Sequence, residues 1–258
     1  MITSNHNPRL QQVRALLARR QEREESRLFV VEGVRLVEEA LASGWRTAGI
    51  FYSAELSPRG QALVRQFAER GDETLEVEPR LMQSLTDTST SQGLLGIFQI
   101  QSLPFSPPIH FVVIADAIRD PGNLGTLLRS AAAAGAQLVF LAPGTVDPFS
   151  PKVVRSAMGA HFRLPIESRS WDQINQFTVE HHLTPFLAES GGGTPCWQAN
   201  LTAPLALVIG GEAEGPSPEA RLFSVNPVTI PMPGKSESLN AAVAASILLF
   251  EIVRQRSS

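Results

Sequence analysis

The chain has 258 residues, a formal charge of -3 at pH 7, 43% hydrophobic and 18% charged residues, which suits one large domain or two small ones with ample core. A single cysteine, Cys196, excludes a disulfide framework within the chain and suits a reducing cytoplasm. Residues 1–20 carry four arginines and no apolar core segment, so no secretory leader is expected, and the apolar run 241–250 falls short of the roughly 20 residues of a membrane span.

Pro8 starts a helical pattern, with Leu10, Val13, Leu16 and Leu17 at helical spacing, that continues through a charged stretch to about residue 25. Only Lys152 and Lys235 are lysines, and residues 9–35 hold seven arginines against four glutamates. That local excess reads either as a solvated helix face or as a phosphate-binding surface, for which arginine's fork geometry is suited. A strand over 28–31, a helix opened by Gly33 and ending near Gly44, a strand over 48–52 and a helix from Pro58 stopped by Gly71 come next. A strand over 74–77, a helical turn near 79–85, a polar loop to Gly93 and a strand over 94–100 complete an α/β alternation. Residues 101–108, with three prolines, form the linker candidate.

A second alternation starts at 109–115, a continuous apolar strand of the kind found in buried parallel sheets. It turns through Asp120-Pro121-Gly122-Asn123 into a helix expected from Asn123, a natural N-cap, to about Ala134. Arg129 stands on that helix beside Ser130 and four alanines, where it reads as an anion- or phosphate-binding group as readily as a solvated one. Strands over 138–141, 185–188, 205–209 and 227–230, and helices over 151–158 and 171–181, follow. The strand 205–209 ends in Gly210-Gly211-Glu212-Ala213-Glu214-Gly215-Pro216, a loop that lets a ligand approach the backbone. It lacks the dinucleotide fingerprint, and its carboxylates would repel a pyrophosphate; the bland alternative is a glycine turn with exposed glutamates. Last come Ile230-Pro231-Met232, Gly234-Lys235-Ser236 and Ser238-Leu239-Asn240. Thr229 stands where a P-loop needs its first glycine, so that reading fails. Ser238 or Asn240 can cap the helix behind, whose residues 241–250 are apolar on nearly every face and should be buried all round, in a core or an interface. The five histidines and Cys196 show no metal-ligand spacing, so no metal is expected.

Taken together, three stretches resemble the ordered motifs of the SpoU/TrmH family of RNA ribose 2′-O-methyltransferases, in the SPOUT superfamily. They are Asn123 with Arg129, then Gly210, Glu212 and Gly215, then Ile230-Pro231-Met232 with Ser238-Leu239-Asn240. More loosely, Asn7-Pro8-Arg9, Phe29-Val30-Val31-Glu32-Gly33 and Gln92-Gly93 resemble the family's amino-terminal substrate-binding domain. The resemblance implies an α/β fold in two domains. Residues 1–100 would be an RNA-binding, ribosomal protein L30e-like domain, 101–108 a linker, and 109–258 a trefoil-knotted methyltransferase domain that works as a homodimer. It implies S-adenosylmethionine held at Gly210, Gly215, Ile230, Met232 and Leu239, with Arg129, Asn123, Glu212, Ser238 and Asn240 at the reaction. Arg9, Arg14, Arg19, Arg20 and Arg27 would contact the RNA, ribosomal RNA being favoured over transfer RNA. The rival reading is a non-catalytic RNA-binding protein that keeps the fold; intact motif residues count against it.

Overall fold

The computed structural model describes residues 1–86, 92–211, 215–234 and 237–257. They form two compact units, Met1–Gln101 with Phe149–Phe162, and Ser102–Pro148 with Arg163–Ser258.

The first unit runs α1 (Pro8–Ala18), α2 (Arg20–Ser26), β1 (Leu28–Glu32), α3 (Val34–Ala42), β2 (Thr47–Tyr52), α4 (Pro58–Glu69), β3 (Thr74–Glu76), α5 (Pro79–Gln83) and β4 (Leu94–Gln99). The single helix expected over 8–25 is therefore two. Arg19 breaks it in extended backbone (φ -120, ψ 122), and the buried Arg23 donates back to the Leu16 carbonyl at the end of α1. A basic side chain capping free helix carbonyls is a stable substitute for another helical turn. The sheet order is β1-β4-β2-β3, with only the β2–β3 pair parallel. One face buries Val30, Phe51, Leu95 and Ile97 under Leu10, Val13 and Leu16 of α1.

The second unit opens with β5 (Phe111–Asp116), α6 (Pro121–Ala133) and β6 (Leu138–Leu141). The stretch that follows was expected to stay in this carboxyl-terminal half, but Phe149–Phe162, with α7 (Pro151–Ala157), packs in the first unit. Aromatic contact explains it: Phe149 lies 5.0 Å from Phe29, and Phe162 meets Trp45 edge-on at 5.1 Å. The second unit resumes with β7 (Ile166–Ser168), α8 (Trp171–Glu180), β8 (Thr184–Ala188), β9 (Thr194–Pro195), β10 (Leu205–Gly210), α9 (Pro218–Phe223), β11 (Pro227–Thr229) and α10 (Ala241–Arg256). Its sheet runs β7-β6-β5-β10-β8-β11-β9 with every pairing parallel, which is why β5 is apolar as far as Ala115 and β10 as far as Ile209. Residues 102–108 are less of a free tether than their prolines suggest, because Phe105 packs on this core, 5.7 Å from Phe177.

Helix α10 is longer than its apolar run and ends at Arg256. It is also not buried all round. Ala242, Ala245, Leu248, Leu249 and Ile252 face the core, and Ser246 shares a 2.8 Å hydrogen bond with Ser130 of α6. On the other side Val243, Ile247 and Phe250 stay 48%, 40% and 51% exposed in the single chain.

Candidate active site

Strands β5 and β10 lie side by side where the chain order of the sheet turns, and open α/β sheets bind ligands beyond the carboxyl ends of such strands. A cavity of about 770 Å³ sits there. Gly210, Gly211, Gly215 and Pro216 line it after β10, Glu189, Ser190 and Gly191 after β8, and Ile230 and Met232 after β11. Ser238, Leu239 and Asn240, ahead of α10, close its wall. Two of the glycines are dictated by space. A Cβ on Gly210 would stand 2.6 Å from the Pro216 nitrogen, and one on Gly211 2.5 Å from the Ala117 carbonyl oxygen.

All five expected cofactor residues, Gly210, Gly215, Ile230, Met232 and Leu239, thus line one cavity, together with Ser238 and Asn240. Glu212 lies outside the described residues. Asn123 and Arg129 do not line the cavity. The N-cap of α6 is Asp120 rather than Asn123: its Oδ1 accepts from the Asn123 backbone at 2.8 Å, ahead of Pro121 in the first turn. That leaves the Asn123 side chain for another task, and its Oδ1 accepts a 2.9 Å hydrogen bond from Asn240 Nδ2. Asn240 in turn caps α10, its Oδ1 accepting from the backbones of Ala242 (3.0 Å) and Val243 (3.2 Å). One amide therefore starts a helix and ties α6 to the cavity wall. Arg129 is exposed on α6 and makes no hydrogen bond or ion pair among the described residues. It is a cation left available to a ligand.

Three groups escaped the reading of the sequence. Glu189, at the end of β8, pairs with Arg221 of α9 on the cavity wall. The rule that ligands sit at the carboxyl ends of parallel strands would have found Glu189, since β8 itself was foreseen. The third is Asp116, the last residue of β5, fully buried in the floor beside the site. Its Oδ2 accepts from the Ser217 backbone at 2.7 Å, while Oδ1 has no hydrogen-bond partner. Burial pushes this carboxyl above its ordinary range, against the pull of the Ser217 bond, and the nearby charge of Glu219 adds to the rise.

In the first unit the arginines divide. Arg9 is spent internally on Glu73, Gln12 and the Ala48 carbonyl, and stacks over Phe51. Arg27 adopts a left-handed backbone (φ 56) and reaches the Ile100 carbonyl at 3.4 Å. Arg14 binds Asn5 and Arg20 pairs with Glu24, both in exposed positions, and Arg19 is exposed. A cavity of about 540 Å³ lies elsewhere in this unit, lined by Val34 and Arg35 of α3, Ser57 and Arg59 at the start of α4, Ser53 and Gln92. Arg59 is held by Glu38, whereas Arg35 makes no ion pair among the described residues.

No group of three or more His, Cys, Asp or Glu that could hold a metal occurs among the described residues, and none of the described helices is long and apolar enough to cross a membrane. Residues 110–250 match the model of the SpoU rRNA Methylase family, and residues 7–96 that of the MRM3-like substrate binding domain. The 23S rRNA (guanosine(2553)-2'-O)-methyltransferase RlmP of Bacillus subtilis is 31% identical, over 90% of this chain and 91% of its own. Among solved structures, the AdoMet-bound rRNA methyltransferase from Sinorhizobium meliloti superposes with a TM-score of 0.88 at 32% identity, covering 98% of this chain and 97% of its own. The SpoU methyltransferase AviRb from Streptomyces viridochromogenes, in complex with AdoMet, superposes at 0.90 and 30% identity, covering 98% and 99%.

Proposed function

The chain belongs to the SpoU rRNA Methylase family, and from that premise we propose that it methylates a ribose 2′-hydroxyl of ribosomal RNA with S-adenosylmethionine as donor. The observation that carries the reading is the convergence of the second and third motifs on one cavity, with Asn240 binding Asn123 of the first. The cavity suits the cofactor. Gly210 and Gly211 leave backbone bare where a Cβ would collide, the apolar wall is Ile209, Ile230, Met232 and Leu239, and polar Glu189, Ser190, Ser238 and Asn240 ring it. When bound, S-adenosylmethionine supplies an electrophilic methyl carbon.

The residues of this chain must then hold the ribose in line with that carbon and help remove the hydroxyl proton. Arg129 is assigned to the target. A guanidinium is a donor without an acceptor and keeps its charge, so it serves as a clamp on the target phosphate rather than as a base. The proton leaves with help from that phosphate. Asn123 and Asn240 fix the position of α6 relative to the cavity wall, and Glu212 and Ser238 align nucleotide and cofactor. The amino-terminal unit takes the body of the RNA. Arg14, Arg19 and Arg20 at its surface and the cavity of Arg35 and Arg59 are the proposed contacts. The reading extends to an L30e-like first unit and a trefoil-knotted second one. The insertion of β10 between β5 and β8 supports the knot. It also extends to a homodimer, for which the exposed apolar stripe of α10 is the support, and to the cytoplasm, which suits the buried, unpaired Cys196.

The test is methyl transfer to ribosomal RNA from cells lacking the protein, with 2′-O-methylated positions mapped by mass spectrometry. Arg129→Ala should abolish transfer and leave S-adenosylmethionine affinity near that of the wild type. Equal loss of cofactor affinity overturns the assignment of Arg129, and RNA bound but never methylated by the wild type favours a non-catalytic binder.

A further inference from the structure

We infer that Asp116, which lines no part of the cavity, is a positioning residue that holds Gly210, Gly211, Gly215 and Pro216 in the arrangement that binds the cofactor; the inference rests on the cofactor reading above. The strands set it up. Asp116 ends β5 in register with Gly210, the last residue of β10, so its carboxyl stands beneath the point where the backbone leaves the sheet. Beyond it Gly211, Gly215 and Pro216 come back together. Gly211 pairs with Gly215 as a bridge, Gly215 adopts φ +67, and Pro216 comes back close enough to exclude any side chain on Gly210. Two contacts close this return. On one side Gly211 lies against the Ala117 carbonyl, presented by a left-handed residue (φ 51). On the other, Asp116 Oδ2 takes the Ser217 N–H at 2.7 Å, just as Ser217 begins to cap α9 with its own hydroxyl. The other carboxyl oxygen, Oδ1, is buried without a hydrogen-bond partner. A fully buried carboxylate with one oxygen unsatisfied is an expensive way to hold one N–H. Its placement is accounted for by what the bond fixes: Gly210, Gly211, Gly215 and Pro216, four residues of the cofactor cavity. A preorganised cradle binds without first having to be ordered.

Calorimetry with S-adenosylmethionine on the full chain tests this with four variants. Asp116→Ala removes the acceptor, and Asp116→Asn keeps one. Ser217→Pro deletes the donor, together with the hydroxyl that caps α9, at a residue whose φ of -63 already suits proline. Val112→Ala, buried on the same strand, supplies a destabilised control. Asp116→Ala and Ser217→Pro should each weaken cofactor binding by about tenfold or more, as loss of an outer partner does elsewhere, with Asp116→Asn restoring most of it. Wild-type affinity in Ser217→Pro overturns the proposal, and so does an equal loss in Val112→Ala at matched melting temperature. A wild type that binds no S-adenosylmethionine overturns the cofactor reading instead, and that outcome is separately visible.

Discussion

At the scale of single residues, Asn240 shows two functions carried by one side chain. Its oxygen caps α10 and its nitrogen binds Asn123, so the two can be separated chemically. Asn240→Asp keeps the capping oxygen and loses the donor; Asn240→Ala loses both. The aspartate should therefore melt near the wild-type temperature yet transfer methyl groups more slowly. The alanine should in addition lose about 1 kcal/mol of stability, the usual worth of an N-cap. Thermal melts and single-turnover rates on the two variants check this, and equal melting temperatures for both would remove the capping role. The sequence narrowed the cap on α10 to Ser238 or Asn240, because both precede a nearly continuous apolar run, and the structure places it at Asn240. The cap on α6 was misread by three residues. Asp120-Pro121 is itself an N-cap followed by proline at the first helical position, and it outcompetes Asn123. The hydrogen bond between Asn123 and Asn240, 117 positions apart, left no trace in local pattern.

At the scale of elements, α10 shows why helix ends are harder to read than helix beginnings. Residues 251–256 are mostly polar, with Ile252 turned to the core, and they anchor the helix. Gln255 donates to the carbonyls of Cys196 (3.2 Å) and Ala199 (3.1 Å) and accepts from Leu201, while Arg256 reaches the carbonyls of Leu201, Ala203 and His110 over the Phe111 ring. The carbonyls of Cys196, Ala199, Leu201 and Ala203 lie outside the strands, and long polar side chains from a helix are what satisfy them. Glu251 completes the set. Hydrogen bonds from Arg254 first and Gln255 second hold its carboxyl down at about 2. A carboxylate with a lowered folded pKa contributes stability that is complete above its ordinary pKa and is lost as pH falls toward the folded value. The wild type should thus weaken between the ordinary glutamate range of about 4.3 and the lower value, and Glu251→Gln should show a smaller loss across that window. Urea denaturation at pH 5 and at pH 2.5 measures it; identical pH slopes in the two proteins would show that the carboxylate contributes nothing.

The same scale separates what patterning reveals from what it hides in the first unit. Strands and helices were placed within a few residues, since turn glycines and prolines punctuate them. The division of α1 from α2 was hidden, because it depends on Arg23 folding back onto α1 rather than on any breaker in the sequence. The arginine count hid a similar division: Arg9 and Arg23 bond within the unit. Arg35, by contrast, lines a cavity without an ion pair among the described residues, beside the starts of α3 and α4. Helix starts carry partial positive charge and spare N–H groups, so phosphate is the ligand they favour. Reversing both Arg35 and Arg59 to glutamate should weaken binding of bulk ribosomal RNA and flatten its salt dependence by about two phosphate contacts. Filter binding across a salt series reads both, and an unchanged slope would move the contact to α1 and α2.

For the whole molecule, the ordered motifs made the second unit's chemistry legible, whereas Phe149–Phe162 joining the first unit was not, because aromatic contacts across more than a hundred positions have no local signature. The remaining question at this scale is what covers α10. Val243, Ile247 and Phe250 recur at helical spacing on the side opposite the core, and Leu239, also 37% exposed, precedes them at the cavity wall. Isolated surface apolar residues need no explanation, but a stripe of three on one helix, joined to the site by its capping loop, is the support for the proposed dimer. A second copy of the chain satisfies it by two-fold symmetry, since the same stripe then meets itself. If a second copy covers the stripe as proposed, Ile247→Glu with Phe250→Glu should leave the protein monomeric by light scattering with the fold intact, because neither side chain is part of the core. Since the stripe adjoins Leu239 and Asn240, the monomer should also bind S-adenosylmethionine more weakly. A double variant that elutes as the wild type does would assign the stripe to something other than dimerisation.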